Sequence, residues 1–298
     1  MVQRYGACAG LAMAAGIAAA DTVVVTSDRD NTMWASADGS VSNGAGEHMW
    51  TGRNAFGSTR RALVHFTLAG VVPPGSVVTD VKLTLYMSMT VSFDHDAALH
   101  RALKDWGEGA SNSGTPGGQG APSAPGDATW VHTFYATQFW GTPGGDSGGP
   151  SPDFVATASA VATIGNPIQS YNWNATPLLL ADAQGWLDAP ATNFGWFVIG
   201  DESATGTAKR FETHESLTPE FRPRLTVTYT PPGPACYPNC DASTALPCLN
   251  IADFGCFLNR FAAGDTYANC DASTTIPVLN VQDFGCFLNA FAAGCSAC

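Results

Sequence analysis

The stretch Val81-Lys82-Leu83-Thr84-Leu85-Tyr86 places an aliphatic residue at every second position, and Arg224-Leu225-Thr226-Val227-Thr228-Tyr229 follows the same rhythm. Successive side chains of a strand point to opposite faces, so this pattern predicts strands with one buried face and one wet face. Three more runs, rich in β-branched and aromatic residues, read as strands: Thr22-Val23-Val24-Val25, Ala62-Leu63-Val64-His65-Phe66 and Gly195-Trp196-Phe197-Val198-Ile199. Gly, Pro, Asn and Asp clusters separate them. Within residues 21–230 only Leu178 to Leu187 has helical spacing, through Leu179, Ala183 and Trp186. Between Gly107 and Gly126 the chain is mostly Gly, Ser, Pro and Ala, which predicts a long surface loop. Residues 21–230 are therefore expected to form an all-β, jelly-roll-like β-sandwich.

Composition points the same way. The 298 residues include 32 Gly and 19 Pro but only 13% charged side chains, a turn-rich balance that disfavours helix bundles and coiled coils. The formal charge is -12, with no basic cluster beyond Arg60-Arg61, so nucleic acid is not an expected partner. Residues 1–20 carry Arg4, an apolar stretch from Ala7 to Ala19, and small residues before Asp21, which reads as a secretory signal peptide. No later run approaches the roughly 20 apolar residues of a transmembrane helix. The mature protein is expected to be secreted, and extracellular or attached to the cell surface. Of the nine cysteines, Cys8 stands alone and the other eight begin at Cys236, which marks a separate, disulfide-bearing C-terminal unit. Pro231-Pro232-Gly233-Pro234 supplies a stiff linker over 231–235 before that unit, residues 236–298.

Several short runs in the large region resemble a known module. In order they are Asp30-Asn31-Thr32, Ser42-Asn43-Gly44-Ala45-Gly46, Arg60-Arg61-Ala62-Leu63, Asp105-Trp106-Gly107-Glu108-Gly109, Gly126-Asp127-Ala128-Thr129-Trp130, Asn193-Phe194-Gly195-Trp196 and Arg222-Pro223-Arg224-Leu225. Together they are similar to bacterial DNRLRE-type modules, β-sandwiches that accompany polysaccharide-degrading enzymes and are related to family 96 carbohydrate-binding modules. The resemblance implies a binding or display role toward polysaccharide. Sugar rings stack on aromatic planes, and Trp34, Trp50, Trp140 and Trp173 lie among polar and Gly-rich residues where such planes would be accessible. Trp106, Trp130, Trp186 and Trp196 lie in or beside the fold-defining runs and read as core. Arg53, Arg60 and Arg61 could clamp an acidic sugar, because guanidinium matches carboxylate geometry; a solvated or ion-paired role is the alternative for each.

Catalytic signals are weaker. Gly145-Asp146-Ser147-Gly148-Gly149-Pro150 reproduces the surroundings of a serine-protease nucleophile, but no histidine upstream has the sequence context of a catalytic base. It reads as a Gly-rich loop. Asp105 with Glu108, and Glu212 with Glu215, are the nearest candidates for the paired carboxylates of a glycoside hydrolase. A structural cation held by Asp28, Asp30 or Glu215 is a further possibility.

The tail repeats with a period of 30: Asn239-Cys240-Asp241-Ala242-Ser243-Thr244 returns as Asn269-Cys270-Asp271-Ala272-Ser273-Thr274, and Asp253-Phe254-Gly255-Cys256-Phe257-Leu258-Asn259 as Asp283-Phe284-Gly285-Cys286-Phe287-Leu288-Asn289. Phe254, Phe257, Leu258 and Phe261 share one helix face, so each copy should be a loop followed by a helix. The doublet resembles a GC-type dockerin. That resemblance implies two Ca2+ loops, one held by Asp241, Ser243, Asn250 and Asp253 and the other by Asp271, Ser273, Asn280 and Asp283, and a cohesin-like or surface scaffold protein as partner. The departures are a longer loop, Ser in place of a second Asp, no turn glycine, and Pro247 or Pro277 inside the loop; disulfides holding a metal-free doublet are the alternative. Exposed strips near Ile251, Ala252 and Asn259, and near Val281, Gln282 and Asn289, would meet the partner, although Ile251 and Val281 could equally be buried between the two copies.

Cysteine placement suggests bridges from Cys240 to Cys256 and, by symmetry, from Cys270 to Cys286. Cys236, Cys248, Cys295 and Cys298 remain, with a clasp from Cys236 to Cys295 or Cys298; zinc binding is the alternative use of the thiols. The expected function is that of an exported, non-catalytic, polysaccharide-binding protein anchored by its tail. The competing readings are a glycan lyase or hydrolase and a purely structural surface protein.

Overall fold

The computed structural model describes residues 20–232, 236–243 and 246–295. Residues 1–19 of the signal peptide expected over 1–20, linker residues 233–235, and Cys298 lie outside the described residues. Two compact units divide the chain between Pro231 and Pro232.

The large unit is mostly β. Its strands are β1 (Asp21–Thr26), β2 (Arg29–Trp34), β3 (Val41–Ser42), β4 (His48–Arg53), β5 (Thr59–His65), β6 (Val77–Thr90), β7 (His95–Arg101) and β8 (Ala121–Pro122). After these come β9 (His132–Phe134), β10 (Gln138–Phe139), β11 (Ala160–Ile164), β12 (Gln169–Trp173), β13 (Trp196–Ile199), β14 (Lys209–Glu212) and β15 (Arg224–Thr230). Eleven of them form one antiparallel sheet, curled into a half-barrel, in the order β1-β15-β6-β14-β4-β5-β13-β7-β11, with β12 also on β6 and β2 also on β5. The short pairs β9-β10 and β3-β8 stand apart.

The period-two pattern does what elementary geometry requires. Val81, Leu83, Leu85 and Met87 of β6 are fully buried, while the residues between them are partly exposed. They meet Leu225, Val227 and Tyr229 of β15 and, from the other half of the sheet, Ala62, Val64, Trp196, Val198, Ala97 and Leu99 in one core. That shared core makes the arrangement sandwich-like. Helix α1 (Pro177–Asp188) adds Leu179, Ala183, Trp186 and Leu187 to this core. It starts where Thr176 accepts a hydrogen bond from the Leu179 N–H and where Pro177 presets the first turn.

Leu63 and Phe197, whose neighbours Val64 and Trp196 face the main core, pack into a second cluster with Met33, Trp106, Trp140 and Phe154. The segment after β7 therefore covers the outer face of the sheet rather than lying free. Gly107, Ser111 and Gly117 are buried, and the Ser111 hydroxyl accepts the Gly44 N–H at 3.1 Å, so the loop expected over 107–126 is partly an interior layer.

Strand β2 has no aliphatic alternation, yet Asp30, Asn31 and Thr32 are fully buried. Most of their polar atoms are used internally: Asn31 Nδ2 donates to the Glu108 carbonyl at 2.8 Å, its Oδ1 accepts from Ser42, and Thr32 Oγ1 accepts the Trp50 N–H at 2.9 Å. Hydrogen bonding, not apolar transfer, is what permits this burial.

The tail unit holds helices α2 (Ile251–Ala262) and α3 (Val281–Ala293). Each opens with the same reciprocal cap, Asn250 with Asp253 and Asn280 with Asp283. Phe257 and Phe287, both fully buried, stack with ring centroids 4.2 Å apart. Leu258 does not join them; it is 51% exposed, and the core face is made by Phe254, Phe257 and Phe261. Disulfides join Cys240 to Cys256, Cys270 to Cys286 and Cys236 to Cys295, and Cys248 is also disulfide-bonded. Among the described residues no helix is long and apolar enough to cross a membrane.

Candidate functional site

The register that places Arg60 opposite Gly52, two residues from Trp50, brings Arg60 and Trp50 to the same side of the β4-β5 pair. The Arg60 guanidinium lies 5.5 Å from the centre of the Trp50 ring. The tight turn between these strands presents Phe56 at 95% exposure, and the Asn54 side chain fixes the turn by accepting the N–H groups of Phe56 and Ser58. Met89, Thr90 and Val91 at the end of β6, with Gly118 and Gln119, complete an open groove of about 270 Å³.

The polar groups of this groove are incompletely used. Arg60 is 5% exposed, and its Nη2 donates to the Gly118 carbonyl at 2.7 Å. Among the described residues its Nε has no hydrogen-bond partner, nor does the indole Nε1 of Trp50, and both atoms are buried. Among the described residues no carboxylate pairs with Arg60, and burial pulls its pKa down from the usual arginine value. A buried cation without a counter-charge and an indole N–H without an acceptor are both costly.

The other sequence-derived binding residues fall elsewhere. Trp173 is fully buried in the main core, its Nε1 bonded to the Ala97 carbonyl at 2.7 Å. Trp140 packs edge-on against Phe197 and bonds the Thr129 carbonyl. Trp34 is buried against Trp50 in a small cluster with Ala208. These three offer no open face for a sugar; polar neighbours in sequence do not keep an indole at the surface when loops fold over it. Arg61 makes a two-pronged ion pair with Glu202, at 2.7 and 2.8 Å, and bonds the carbonyls of Gly144 and Gly145. Arg53 bonds the carbonyls of Gly57 and Glu202. Both guanidinium groups are committed to the fold. The groove's Phe56, Met89 and Val91 carried no periodic signal, since a turn tip and a strand end have none.

The carboxylate pairs separate. Asp105 pairs with Arg29 at 2.9 Å, and Glu212 pairs with His48 at 3.0 Å. Burial would raise the Glu212 pKa, but hydrogen bonds from His48, Ser88 and Ser216 hold it below the ordinary carboxylate value. Asp28 is opposed by burial too, yet His65 and Thr67 bring it to about 2. Asp30, Glu108 and Glu215 instead converge on His214. All six histidines have partners, none of them Ser147: His48 and Glu212, His65 and Asp28, His95 and Asp201, His100 and the Val155 carbonyl, His132 and Thr129, and His214 within its acidic group.

In the tail, Ile251 and Val281 are each 81% exposed, which places them on the outside rather than between the copies. Ala252, Asn259, Gln282 and Asn289 are also exposed, and Leu258 and Leu288 follow Ile251 and Val281 by seven residues, on the same helix face. The residues named for calcium make local bonds: buried Asp253 accepts the N–H of Asn250 and of Asp241, Asp241 accepts from Ser243, and Asn250 caps α2. Asp283, Asp271, Ser273 and Asn280 repeat the arrangement.

No protein-family model matches the chain, and no curated protein matches it.

Proposed function

We propose that this chain is an exported, non-catalytic binding protein, a jelly-roll-like module of the DNRLRE type that holds a carboxylated saccharide in the groove of Trp50, Phe56 and Arg60. The observation that carries the reading is Arg60, buried beside an open groove and without a carboxylate partner among the described residues. A uronate carboxylate would lie against the Arg60 charge at the groove wall, while a ring face rests on Phe56. The net charge of -12 disfavours long-range attraction of a polyanion, so the recognition is local. The tail serves as a dockerin-like anchor: two exposed apolar strips, Ile251 with Leu258 and Val281 with Leu288, are offered to a cohesin-like or scaffold protein. Calcium in its loops would use Asp241, Ser243, Asn250 and Asp253, and Asp271, Ser273, Asn280 and Asp283.

Affinity electrophoresis of the full chain in gels containing alginate, pectate or a neutral glucan tests the groove. Retardation by a uronate polymer is expected, lost on Phe56→Ala, a residue too exposed to hold the fold together. Equal retardation by neutral glucan, or none by any polymer, would overturn the saccharide reading.

A further inference from the structure

Four residues distant in sequence meet at one point of the large unit. Asp30 comes from β2, Glu108 from the segment after β7, and His214 and Glu215 from the turn after β14. Each offers a ligand-type atom, and these four atoms all lie within 4.8 Å of one another. His214 Nδ1 is 3.2 Å from Asp30 Oδ2 and 3.4 Å from Glu108 Oε1, and His214 Nε2 is 3.1 Å from Glu215 Oε1.

The backbone holds the group in place. The Asp30 N–H donates to Glu108 Oε1 at 2.8 Å and the His214 N–H to Asp30 Oδ2 at 2.9 Å. Gly44 lets the Glu108 backbone approach, for a Cβ there would stand 1.7 Å from the Glu108 carbonyl oxygen.

Two features are unexplained by these contacts. Among the described residues no lysine or arginine pairs with Asp30, Glu108 or Glu215, so three carboxylates share a single imidazole. Asp30 is fully buried, and among the described residues its Oδ1 has no hydrogen-bond partner; Glu215 Oε2 lacks one as well. A buried carboxylate oxygen without a donor is expensive, and a cation removes that cost.

We propose that Asp30, Glu108, His214 and Glu215 bind one divalent first-row metal ion that ties β2 to the segment after β7 and the turn after β14. Ligand atoms on opposite sides of an ion with bonds of about 2.0–2.4 Å stand about 4–4.8 Å apart, so this cluster has the right size. The donor set selects the metal. Calcium and magnesium take oxygen ligands, whereas an imidazole beside carboxylates and without thiolate suits Mn2+ or Zn2+. This site is separate from the groove and does not depend on the saccharide reading.

The probe is Mn2+, added to the full chain after chelation and dialysis. Pulsed electron paramagnetic resonance should show 14N coupling from a bound imidazole, and His214→Gln should abolish it. The tail loops present only oxygen donors among their named side chains, so Asp253→Asn with Asp283→Asn should leave the coupling intact. Bound metal per chain should fall by one in Glu108→Gln with Glu215→Gln, with circular dichroism confirming that the variant is folded. Mn2+ should also raise the melting midpoint of the wild-type chain by several degrees, because only the folded state assembles the four ligands. Absence of nitrogen coupling in the wild type, coupling that survives His214→Gln, or unchanged stoichiometry in the double variant would each overturn the site.

Discussion

Tyr237 and Tyr267 exchange hydrogen bonds: the Tyr237 hydroxyl donates to the Tyr267 carbonyl at 2.9 Å, and the Tyr267 hydroxyl donates to the Tyr237 carbonyl. Their rings stack with centroids 4.9 Å apart. The two positions differ by the repeat length of 30, as do Phe257 and Phe287 in the core of the tail. A reciprocal contact between equivalent residues is what two copies related by an approximate twofold must make, and it gives neither copy a complete core alone.

The tyrosine pair has a signature at high pH. Burial is the main cause that raises the Tyr237 pKa to about 12, helped by Tyr267 and Asp283. The unfolded phenol titrates near its ordinary value of 10, so the pair's contribution to stability is complete below about pH 10 and is lost as pH climbs toward 12. Absorbance at 295 nm should show a tyrosine ionising late in the folded chain, and the late component should disappear in Tyr237→Phe. That variant also removes one hydroxyl-to-carbonyl bond and should cost about 1 kcal/mol.

Reduction should act on the tail selectively. The Cys240–Cys256 and Cys270–Cys286 bridges each close a loop of 16 residues, for which chain entropy gives about 3 kcal/mol apiece. The large unit has no described disulfide and should keep its far-ultraviolet signal in dithiothreitol, while hydrogen exchange in α2 and α3 should rise steeply. Protection of both helices that survives complete reduction would show that the aromatic core alone holds the tail.

Gly44→Ala tests the packing of the long segment after β7 against the sheet. The added Cβ would meet backbone, the Glu108 carbonyl, which cannot swing aside as a side-chain end could. A loss of at least about 2–3 kcal/mol is expected in urea unfolding, within the range for overpacking. A change below 0.5 kcal/mol, roughly that of an ordinary surface substitution, would mean that the 107–113 segment is looser than its contacts indicate.

Legibility in the sequence followed the physics of each element. The strands through Val81–Tyr86 and Arg224–Tyr229 were readable because one face is apolar and the other wet, and α1 because Leu179, Ala183 and Trp186 repeat along one side. Strand β2 was not, since Asp30, Asn31 and Thr32 are buried through hydrogen bonds to residues far along the chain. The same limit hid which arginine lacks a carboxylate partner among the described residues. Arg60 and Arg61 are adjacent and point to opposite faces of β5, so one meets Trp50 and the groove while the other is occupied by Glu202. Asp30 and Glu215 were visible as candidate cation ligands, but nothing local showed that Glu108 and His214 would join them. Tyr237 and Tyr267 lie just before the repeated segments quoted from the tail, and their equivalence emerges once the 30-residue offset is extended backward.

Lys209 provides the last test, of a polar clasp inside the large unit. It is 2% exposed, and its Nζ donates to the carbonyls of Ser92 at 3.2 Å, Phe93 at 2.6 Å and Gly165 at 2.9 Å. One ammonium thereby fastens β14 to the turn after β6 and to the turn after β11. The three donors of a lysine match three carbonyls, which is why the charge is tolerated there, although burial still pulls its pKa below the usual lysine value. Lys209→Met keeps the stem and removes every donor, leaving the carbonyls to find water or remain unpaired. A loss of about 2–4 kcal/mol is expected in equilibrium unfolding, more than the roughly 1 kcal/mol of a single neutral hydrogen bond, because the acceptors lose their partners together. Lys209→Arg should not restore the clasp, since a planar fork cannot aim three donors from one point. If Lys209→Met unfolds at the same urea concentration as the wild type, the three bonds contribute nothing net and the turns are held by their backbones alone.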